Sequence, residues 1–386
     1  MKIGFVLDDG LDAPDGVQQY VLTLGKWFVS RGHEVHYLVG QTVRDDIPNI
    51  HSLSKNVSVS FNHNRLSIPF SGSRSGITEL LRAQQFDVLH VQLPYSPQLA
   101  GKVISLAEPT TAIIGTFHIL PYGKLQTTGS KLLSKVLSPT LKKFSAIAAV
   151  SEAAQEFASR VMGIDSVVIP NAVNLAGFTA GKKLKKFDDG KQNIVFLGRL
   201  VERKGCMQLL KAVQRLHDQD KLKDVRVIVA GHGPELPKIE EYIQKYYLQD
   251  HVVLAGWLTE AEKPDYLRSA DIAVMPSIAG ESFGIVLVEA IAAGAGVVLG
   301  GDNPGYRYVL ENEPLALIDP NDTAAFADRL AHLLRDTKLR SKIRTSQLER
   351  IKDFDVNVVG KQLEKLYTRE IANNKPTSDN TNHEQE

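Results

Sequence analysis

The feature that most constrains the fold of this chain is the alternation of short apolar runs with longer helical patterns along its whole length. Runs such as Ala112–Phe117, Ile194–Leu197 and Ile272–Met275 are almost continuously apolar. Strands have this composition when helices cover both faces of a parallel sheet. The segments between the runs, such as Gly16–Arg31 and Gly205–Gln219, have the length and spacing of helices. The pattern predicts an α/β fold with a doubly wound parallel sheet in each half.

The length of the chain and one change in composition predict two domains. A chain of 386 residues, at about 150 residues per domain, favours two α/β units. Between Leu175 and Gln192, lysines and glycines replace the apolar pattern, which predicts a flexible, solvated connection. We therefore expect one domain at 1–175 and a second at 176–353. The polar end of the chain, 373–386, is predicted to be a disordered tail.

Charge and cysteine content exclude several classes of protein. Lys and Arg number 45 against 44 Asp and Glu, and this net charge of +1 argues against a nucleic-acid partner. Cys206 is the only cysteine, which excludes a disulfide framework and a multi-cysteine zinc site. The adjacent Asp8 and Asp9 do not make a metal site by themselves, so no metal and no other cofactor is expected.

The hydropathy pattern bears on the location of the protein. No apolar stretch reaches the ~18–20 residues that a membrane-spanning helix needs. At the N-terminus, the apolar run Ile3–Leu7 is too short for the core of a signal peptide. The expectation is a cytoplasmic protein.

Two glutamates in the second half form the strongest candidate site. Glu281 and Glu289 have seven residues between them, and a helix with Ser282 as its N-cap is predicted there. Eight helical residues rotate the chain by roughly 800°, which leaves the two carboxylates about 80° apart. Glu289 interrupts an apolar run, where burial of a carboxylate without a partner is costly. The pair fits the hydroxyls of a ligand with two sugar rings, and the alternative is a surface helix with two solvated acids.

The segment that carries these acids resembles a known family. Gly280–Ala290 is similar to the E-x7-E segment of retaining family 4 glycosyltransferases, whose GT-B fold has two Rossmann-like domains facing across a cleft. Further similar segments follow in family order along nearly the whole chain. They are Asp15–Tyr20, Gly32–Val35, Asp87–His90, Thr116–His118, Val150–Glu152, Ile169–Asn171, Gly198–Leu200, Lys204–Gly205, Gly231–Pro234 and Asn303–Gly305. Within the family, this chain looks most like the phosphatidylinositol α-mannosyltransferases.

The resemblance implies roles for the residues that match the motifs. The residues implied in catalysis are His118, Arg199, Lys204 and Glu281. The residues implied in donor binding are Gly16, Arg199, Lys204, Gly231, Gly233, Glu281, Phe283, Gly284, Ile285 and Glu289, with Glu289 on the nucleotide ribose and Glu281 on the donor sugar. The acceptor side is assigned to Gln18 and His118, and Arg65 is a further candidate for an acceptor phosphate. A last helix at about 354–372 is expected to cross back onto the first domain.

Arg199 and Lys204 also have a physical interpretation of their own. They follow the first strand of the second half, and fixed cations there would stabilise the negative charge that develops on a departing diphosphate. Arginine can fork across two oxygens, whereas lysine acts as a point charge. Arg203 could take the place of one of them. The alternative is a solvated basic loop.

Other motif positions have structural alternatives. Gly16 opens a helix after the first strand and lets a ligand approach the backbone, but Asp15 stands where the family usually has another glycine. A lone histidine such as His118 is most often a satisfied core residue. A tight turn between strand and helix is enough to explain Gly231 and Gly233.

A basic amphipathic segment at 122–145 bears on the acceptor. From Pro109 to Ser151 the chain has no Asp or Glu, while lysines alternate with leucines and valines. Such a segment can lie on an anionic bilayer. A helix packed on the sheet and broken by Pro139 explains the pattern equally well.

The sequence thus predicts a retaining hexosyltransferase. The resemblance favours transfer of mannose from GDP-mannose to a hydroxyl of phosphatidylinositol or a related lipid. The expected partners are a nucleotide sugar, a lipid or glycan acceptor, and an anionic membrane surface at the inner face of the cell membrane. Three alternatives stay open. They are another nucleotide sugar such as UDP-glucose with a soluble or polysaccharide acceptor, a GT-B-like sugar-nucleotide epimerase, and a non-catalytic sugar-nucleotide-binding protein.

Overall fold

Parallel strands form the centre of the structure, a computed structural model that describes residues 1–12, 15–61, 64–70, 73–94, 96–120, 139–311 and 313–374. For 56–61, 64–70 and 161 it describes the backbone alone. The strands of the first half are β1 (Lys2–Leu7), β2 (Glu34–Val39), β3 (Ile50–Ser52), β4 (Lys55–Phe61), β5 (Asn64–Phe70), β6 (Val88–Gln92), β7 (Ala112–Phe117), β8 (Ala146–Ala149) and β9 (Val167–Val168). A parallel sheet has the order β3-β2-β1-β6-β7-β8-β9, and β4 pairs antiparallel with β5.

A second parallel sheet occupies the other half. Its strands are β10 (Gln192–Leu197), β11 (Val225–Ala230), β12 (Val252–Gly256), β13 (Ile272–Met275), β14 (Val298–Gly301) and β15 (Leu317–Ile318). They lie in the order β12-β11-β10-β13-β14-β15. Consecutive residues of a strand point to opposite faces, yet Ile194, Val195 and Phe196 of β10 are each at most 1% exposed. Both faces of this sheet are therefore covered.

Helices supply that cover. In the described residues they are α1 (Gly16–Ser30), α2 (Arg74–Gln84), α3 (Leu99–Leu106), α4 (Glu152–Met162), α5 (Leu175–Thr179), α6 (Cys206–Asp218), α7 (Leu236–Lys245), α8 (Lys263–Arg268), α9 (Ile285–Ala293), α10 (Pro304–Val309), α11 (Thr323–Arg335), α12 (Thr337–Arg350) and α13 (Val356–Asn374). In the first half, Ile3 and Phe5 of β1 belong to one apolar cluster with α1 and α13, whereas Val6 belongs to another with α2 and α3. The predicted α/β fold with two Rossmann-like domains is confirmed.

The last helix leaves the second sheet and packs on the first. Val173 and the start of α13 are joined by backbone hydrogen bonds, because the Val173 carbonyl accepts from the N–H of Val356. Trp27 Nε1 of α1 donates to Asn357 Oδ1 at 3.0 Å, and Tyr367 stacks on Phe28. The helix runs to Asn374, so 373 and 374 are helical where a tail was predicted. Residues 375–386 lie outside the described part of the chain.

The segment 175–192 is packed, and the prediction of a flexible connection is wrong. It contains α5 and a 3₁₀ turn at Lys185–Phe187. Phe187 is 4% exposed and meets Tyr266 edge-on, while the Lys186 ammonium lies 5.0 Å from the centroid of each ring. Lys186 thus covers the aromatic contact of Phe187 with Tyr266 while it stays exposed, as long cationic side chains often do.

Candidate active site

The carboxyl ends of the two sheets border a cavity of about 360 Å³. In doubly wound sheets this edge is where loops and helix N-termini converge on a ligand. The predicted site residues that line it are Gly16, His118, Arg199, Lys204, Gly231, Glu281, Phe283, Gly284, Ile285 and Glu289. The structure thus brings residues from both halves of the chain to one place.

The helix after Glu281 begins later than the sequence predicts. α9 starts at Ile285, with Gly284 at the N-cap position and no side chain bonded to its first turn. The φ of Gly284 is 124°, and a Cβ there would lie 2.7 Å from a ring carbon of Tyr306, so glycine is required. Ser282 is therefore not the N-cap, and the helical projection of Glu281 is wrong because Glu281 precedes the helix. The two glutamates line the same cavity from a loop and from the second turn of α9.

Ser282 instead joins the two halves of the molecule. Its Oγ donates to the backbone carbonyl of His118 at 2.6 Å, and its own carbonyl accepts from Ser151 Oγ at 2.5 Å. His118 follows β7 and Ser151 follows β8 of the first sheet. These two bonds hold the loop of Glu281 against the edge of the first sheet.

Glu281 lies among cations of the loop that follows β10. Its Oε1 is 2.7 Å from Arg203 Nη1 and 2.8 Å from Lys204 Nζ. Burial by itself would raise the pKa of Glu281, but Lys204 and Arg203 outweigh it and the pKa is lowered. Burial also lowers the pKa of Lys204, and Glu281 opposes that shift. Glu281 is therefore ionised at neutral pH and holds both cations at the cavity.

Arg199 adds a positive charge that no acid balances within the described residues. It lines the same cavity, and its charge contributes to the lowered pKa of Lys204. Three cations thus face the single carboxylate of Glu281 in this part of the cavity. Such an excess of positive charge in a cleft attracts an anionic ligand.

A glycine turn fixes the loop that carries Arg199. A Cβ on Gly231, whose φ is +153°, would lie 1.9 Å from the carbonyl oxygen of Gly198. A Cβ on Gly233 would lie 2.3 Å from the carbonyl oxygen of Leu200. Gly231 lines the cavity, but Gly233 does not. Packing of the turn therefore requires glycine at both positions, as the turn alternative describes, and the donor contact of Gly233 stays a prediction.

Glu289 lies on α9 in a less favourable environment for its charge. The residue is 6% exposed, and burial raises the pKa of its carboxyl, with Lys263 opposing the shift and Glu260 adding to it. Lys263 Nζ is 2.5 Å from Glu260 Oε1, so its charge is shared. A hydroxyl donor from a ligand would relieve the burial cost of Glu289.

His118 is a neutral residue at the rim of the first sheet. It is 9% exposed and lines the cavity. Its Nε2 is hydrogen-bonded to Gln92 Oε1 at 2.7 Å, and its ring lies 5.0 Å from that of Tyr20 between centroids, with the two planes at 76°. Burial lowers the pKa of His118 to about 3. The ring is therefore a satisfied core residue and a lining residue at once, which joins the two alternatives for it.

Of the residues predicted on the acceptor side, Gln18 does not line this cavity. Gln18 is 4% exposed, and its Nε2 donates to Asp9 Oδ2 and to the carbonyl of Gly10, both at 3.4 Å. Its amide ties α1 to the loop after β1. Arg65 lies on β5, and its side chain lies outside the described part of the structure.

The cavity also has lining residues that the sequence did not place among the catalytic, donor-binding or acceptor-binding residues. They are Asp15, Val17, Gln19, Asn171, Leu197, Gly198, Arg203, Trp257, Leu258, Lys263, Ser282 and Val286. Arg203 had been named only as a substitute for another cation. Trp257, Leu258 and Lys263 follow β12, and the rule that ligands bind beyond the carboxyl ends of strands would have found them. Trp257 is 55% exposed.

The acidic pair at the end of β1 has a structural role. Asp8 Oδ1 accepts from the backbone N–H of Ala100 at 2.8 Å, and Oδ2 accepts from Ser96 Oγ. Asp8 therefore supports the N-terminus of α3, where a carboxylate is favoured. Among the residues that the structure describes, no three His, Cys, Asp or Glu side chains are grouped as metal ligands would be.

The helices and the described end of the basic segment bear on the membrane hypothesis. None of the helices in the described ranges combines the length and apolar character needed to cross a bilayer. Of the basic segment 122–145, residues 122–138 lie outside the described part of the chain. At its described end, Lys143 Nζ donates to the carbonyls of Ile104 and Ser105, the latter at 3.0 Å.

Comparison with known protein sequences gives matches over both halves. The profile of Glycosyltransferase Family 4 matches residues 14–176, and that of Glycosyl transferases group 1 matches residues 179–350. The phosphatidyl-myo-inositol mannosyltransferase of Mycobacterium leprae is 33% identical over 95% of this chain and 96% of its own length. The protein of the same name from Propionibacterium freudenreichii is 28% identical over 95% of each chain.

Comparison with solved structures gives the fold. A glycosyltransferase from Rickettsia africae has a TM-score of 0.76 at 19% identity, with 96% of this chain and 99% of that chain covered. Sucrose-phosphate synthase from Thermosynechococcus elongatus has a TM-score of 0.75 at 19% identity, with the same coverage of both chains. Identities this low establish a shared architecture and nothing finer.

Proposed function

This chain belongs to the glycosyltransferases of group 1 and family 4, and from that premise we propose that it transfers a hexosyl group from a nucleotide sugar to a lipid hydroxyl with retention of configuration. The proposed donor is GDP-mannose and the proposed acceptor is phosphatidylinositol or a related lipid. Identity of 32–33% to phosphatidyl-myo-inositol mannosyltransferases from mycobacteria, over 95% of the chain, supports this choice.

The observation that carries the proposal is the cation cluster at the end of β10. Arg199, Arg203 and Lys204 line one part of the cavity, and the Glu281 carboxylate binds the last two. A departing nucleoside diphosphate gains negative charge as its bond to the sugar breaks, and cations already in place stabilise that charge. Because these cations are held by the fold, they need little reorganisation during the reaction.

The two glutamates are proposed to hold the rings on either side of the diphosphate. Glu281 keeps its charge because of Lys204 and Arg203, so it can accept hydrogen bonds from hydroxyls of the sugar. Glu289 is buried and its pKa is raised, and two vicinal hydroxyls of a ribose would donate hydrogen bonds that its carboxylate does not receive from the described residues. In this division, residues 176–353 bind the donor and residues 1–175 present the acceptor.

The proposed chemistry proceeds on one face of the sugar. The bond between the anomeric carbon and the phosphate oxygen breaks, and the acceptor oxygen forms its bond to the same carbon. The acceptor proton passes to the departing phosphate oxygen, which gains charge in the same step. His118 is a poor candidate for a general base, because a group with a pKa of about 3 is too weakly basic to take that proton near neutral pH.

The acceptor side is the less constrained part of the proposal. Arg65 is proposed to lie on the route of the lipid headgroup, and the segment 122–145 is proposed to rest on an anionic membrane surface. Flotation of the protein with vesicles of phosphatidylcholine, with and without phosphatidylinositol, tests this association. Equal recovery in both preparations would contradict a role for the anionic headgroup.

Transfer of labelled mannose tests the proposal as a whole. Purified protein is incubated with GDP-mannose and phosphatidylinositol vesicles, and the labelled lipid is measured. We expect product formation with the unchanged protein and a loss of about 100-fold or more in kcat for Lys204→Ala, which removes a charge that stabilises the leaving group.

The matched control is Lys211→Ala, since Lys211 is an exposed lysine on α6 of the same half. Its activity should equal that of the unchanged protein. Parallel assays with UDP-glucose and with free inositol separate the alternatives of donor and acceptor. Conversion of the nucleotide sugar without any acceptor would favour an epimerase, and full transfer by Lys204→Ala would contradict the assignment of the site.

A further inference from the structure

A buried glutamine on the first sheet is hydrogen-bonded to the imidazole ring of His118. Gln92 ends β6 and His118 follows β7, and these strands are neighbours in the sheet. Gln92 is fully buried, and its Oε1 is 2.7 Å from His118 Nε2. We propose that Gln92 is a positioning residue that holds His118 in the tautomer protonated at Nε2, so that Nδ1 is a bare acceptor nitrogen for a hydroxyl of the bound sugar.

The orientation of the Gln92 amide follows from its second contact. Its Nε2 donates to the backbone carbonyl of His90 at 3.4 Å, and a carbonyl can only accept. The amide oxygen must therefore point to His118. Because that oxygen can only accept as well, His118 Nε2 has to carry the proton. One buried amide thus fixes the proton position on the imidazole ring.

The backbone that supports Gln92 is itself held in place. β6 is hydrogen-bonded to β1 on one side and β7 on the other. The His90 ring is bonded to Thr116 Oγ1 at 2.6 Å and to the Tyr367 hydroxyl at 2.5 Å. All of these groups are 0% exposed. Gln92 is therefore supported by hydrogen bonds that run through His90 to Tyr367 of α13, and none of these side chains is charged.

The neutral state of His118 is consistent with this arrangement. Among the described residues, the His118 ring is bonded to Gln92 and lies against the Tyr20 ring at a steep interplanar angle, and Tyr20 in turn meets His90. A neutral ring with a proton on Nε2 has a lone pair on Nδ1. Since Nε2 is engaged by Gln92 and His118 lines the cavity, Nδ1 is the nitrogen left for a ligand.

An acceptor nitrogen at this place has a defined use. A sugar hydroxyl that donates to Nδ1 has its proton fixed toward the first sheet, and this fixes the rotation of the sugar in the cavity. The opposite tautomer would offer an N–H and reverse that hydrogen bond. This use rests on the proposed function, in which the cavity binds a hexose. The tautomer itself does not depend on the identity of the ligand.

Histidine side-chain nitrogen spectra of the 15N-labelled protein test the tautomer directly. A His118→Ala variant identifies which signals belong to His118 among the 11 histidines. We expect the Nε2-protonated neutral form, unchanged between about pH 5 and about pH 8. In Gln92→Leu the preference for this form should be lost. A proton on Nδ1 in the unchanged protein, or the same tautomer in Gln92→Leu, would overturn the proposal.

Kinetics separate a positioning role from a purely structural one. Gln92→Leu should lower kcat/KM about tenfold, the order expected for one lost hydrogen bond that orients a reacting group. Gln92→Glu keeps an acceptor for Nε2 but adds a charge that favours the imidazolium, so its activity should show a new inflection as pH falls. Full activity of Gln92→Leu with an altered tautomer would overturn the role in transfer.

A second buried glutamine provides the matched control. Gln347 is 2% exposed and is bonded to the backbone N–H and carbonyl of Val298 in the second half. Gln347→Leu therefore removes a comparable buried amide away from the cavity, and its activity should change less than that of Gln92→Leu. An equal loss in both variants would reduce Gln92 to a stability residue. If the unchanged protein transfers no sugar at all, the proposed function fails while the spectra still decide the tautomer.

Discussion

The two sheet edges that border the cavity use opposite electrostatic strategies. The edge of the second sheet carries Arg199, Arg203 and Lys204 around the carboxylate of Glu281. The edge of the first sheet presents His118, which is neutral and is held by uncharged partners. One edge is thus built to meet a charge that changes during a reaction, and the other to hold groups whose charge does not change.

The difference has a physical reason. A charge inside a protein is costly to bury unless a partner is present, and Glu281 supplies that partner for the cations before any ligand binds. The polar side chains next to His118 in the first sheet, His90, Gln92 and Thr116, are fully buried and are hydrogen-bonded to neutral groups. Removal of a charged group should therefore affect the chemistry, whereas removal of a neutral group should affect orientation and stability.

The largest effect is expected from Glu281→Gln. This change removes the charge that holds Arg203 and Lys204 and leaves an amide of nearly the same shape. We expect kcat for transfer to fall about 100-fold, as for other fixed groups that stabilise charge in an active site. Steady-state assays with labelled donor measure it. A loss smaller than that of Gln92→Leu would break the contrast between the two edges.

An intermediate effect is expected in the pH dependence of stability. Burial lowers the pKa of His118 from 6.5 to about 3 in the folded protein, so below pH 6.5 the unfolded chain binds a proton that the folded protein does not. The contribution of the neutral His118 to the free energy of unfolding is fully present above pH 6.5 and is lost as pH falls toward the folded pKa of about 3. At about pH 5 the loss is about 2 kcal/mol for one such histidine.

The variant His118→Gln should therefore flatten the fall in the free energy of unfolding between about pH 7 and about pH 5. Urea denaturation at several pH values measures the slope. The exposed His332 provides the control, because His332→Gln changes an imidazole that is 59% exposed. A slope that is the same for His118→Gln and the unchanged protein would mean that His118 is not held neutral by the fold.

The smallest effect is expected from Glu289→Gln in the absence of ligand. The pKa of Glu289 is raised by burial, so this carboxylate costs stability as pH rises through its folded pKa. Glu289→Gln should raise the Tm by a few degrees at neutral pH and should weaken binding of the sugar donor. The pKa of Glu281 is lowered in the folded protein, so its carboxylate stabilises the fold at pH values above its unfolded pKa. Glu281→Gln should therefore lower the Tm. Thermal melts of both variants test this pair, and a fall in Tm for Glu289→Gln would contradict it.

The sequence predicts the fold well because the fold depends on patterns that are local in the chain. Continuous apolar runs such as Ile194–Leu197 identify strands covered on both faces, and the structure has both sheets. The residues at the strand ends, such as Arg199 and Lys204, are predicted for the same reason, since a parallel sheet brings its carboxyl ends to one edge.

What the sequence does not predict depends on contacts between distant segments. α9 starts after Gly284, which lies so close to Tyr306 that no side chain fits there, and the bond from Ser282 to His118 spans both halves. The same is true of Gln92, whose partner is 26 residues away. A helix rule applied to Glu281 and Glu289 alone therefore placed both on one helix, although only Glu289 lies there.

A crystal structure with GDP or GDP-mannose in the cavity tests the central claim most directly. The account predicts the diphosphate within hydrogen-bond distance of Arg199 and Lys204, with the ribose at Glu289 and the hexose beside Glu281. A nucleotide bound with its phosphates away from both cations, or outside the cleft between the sheets, would contradict it.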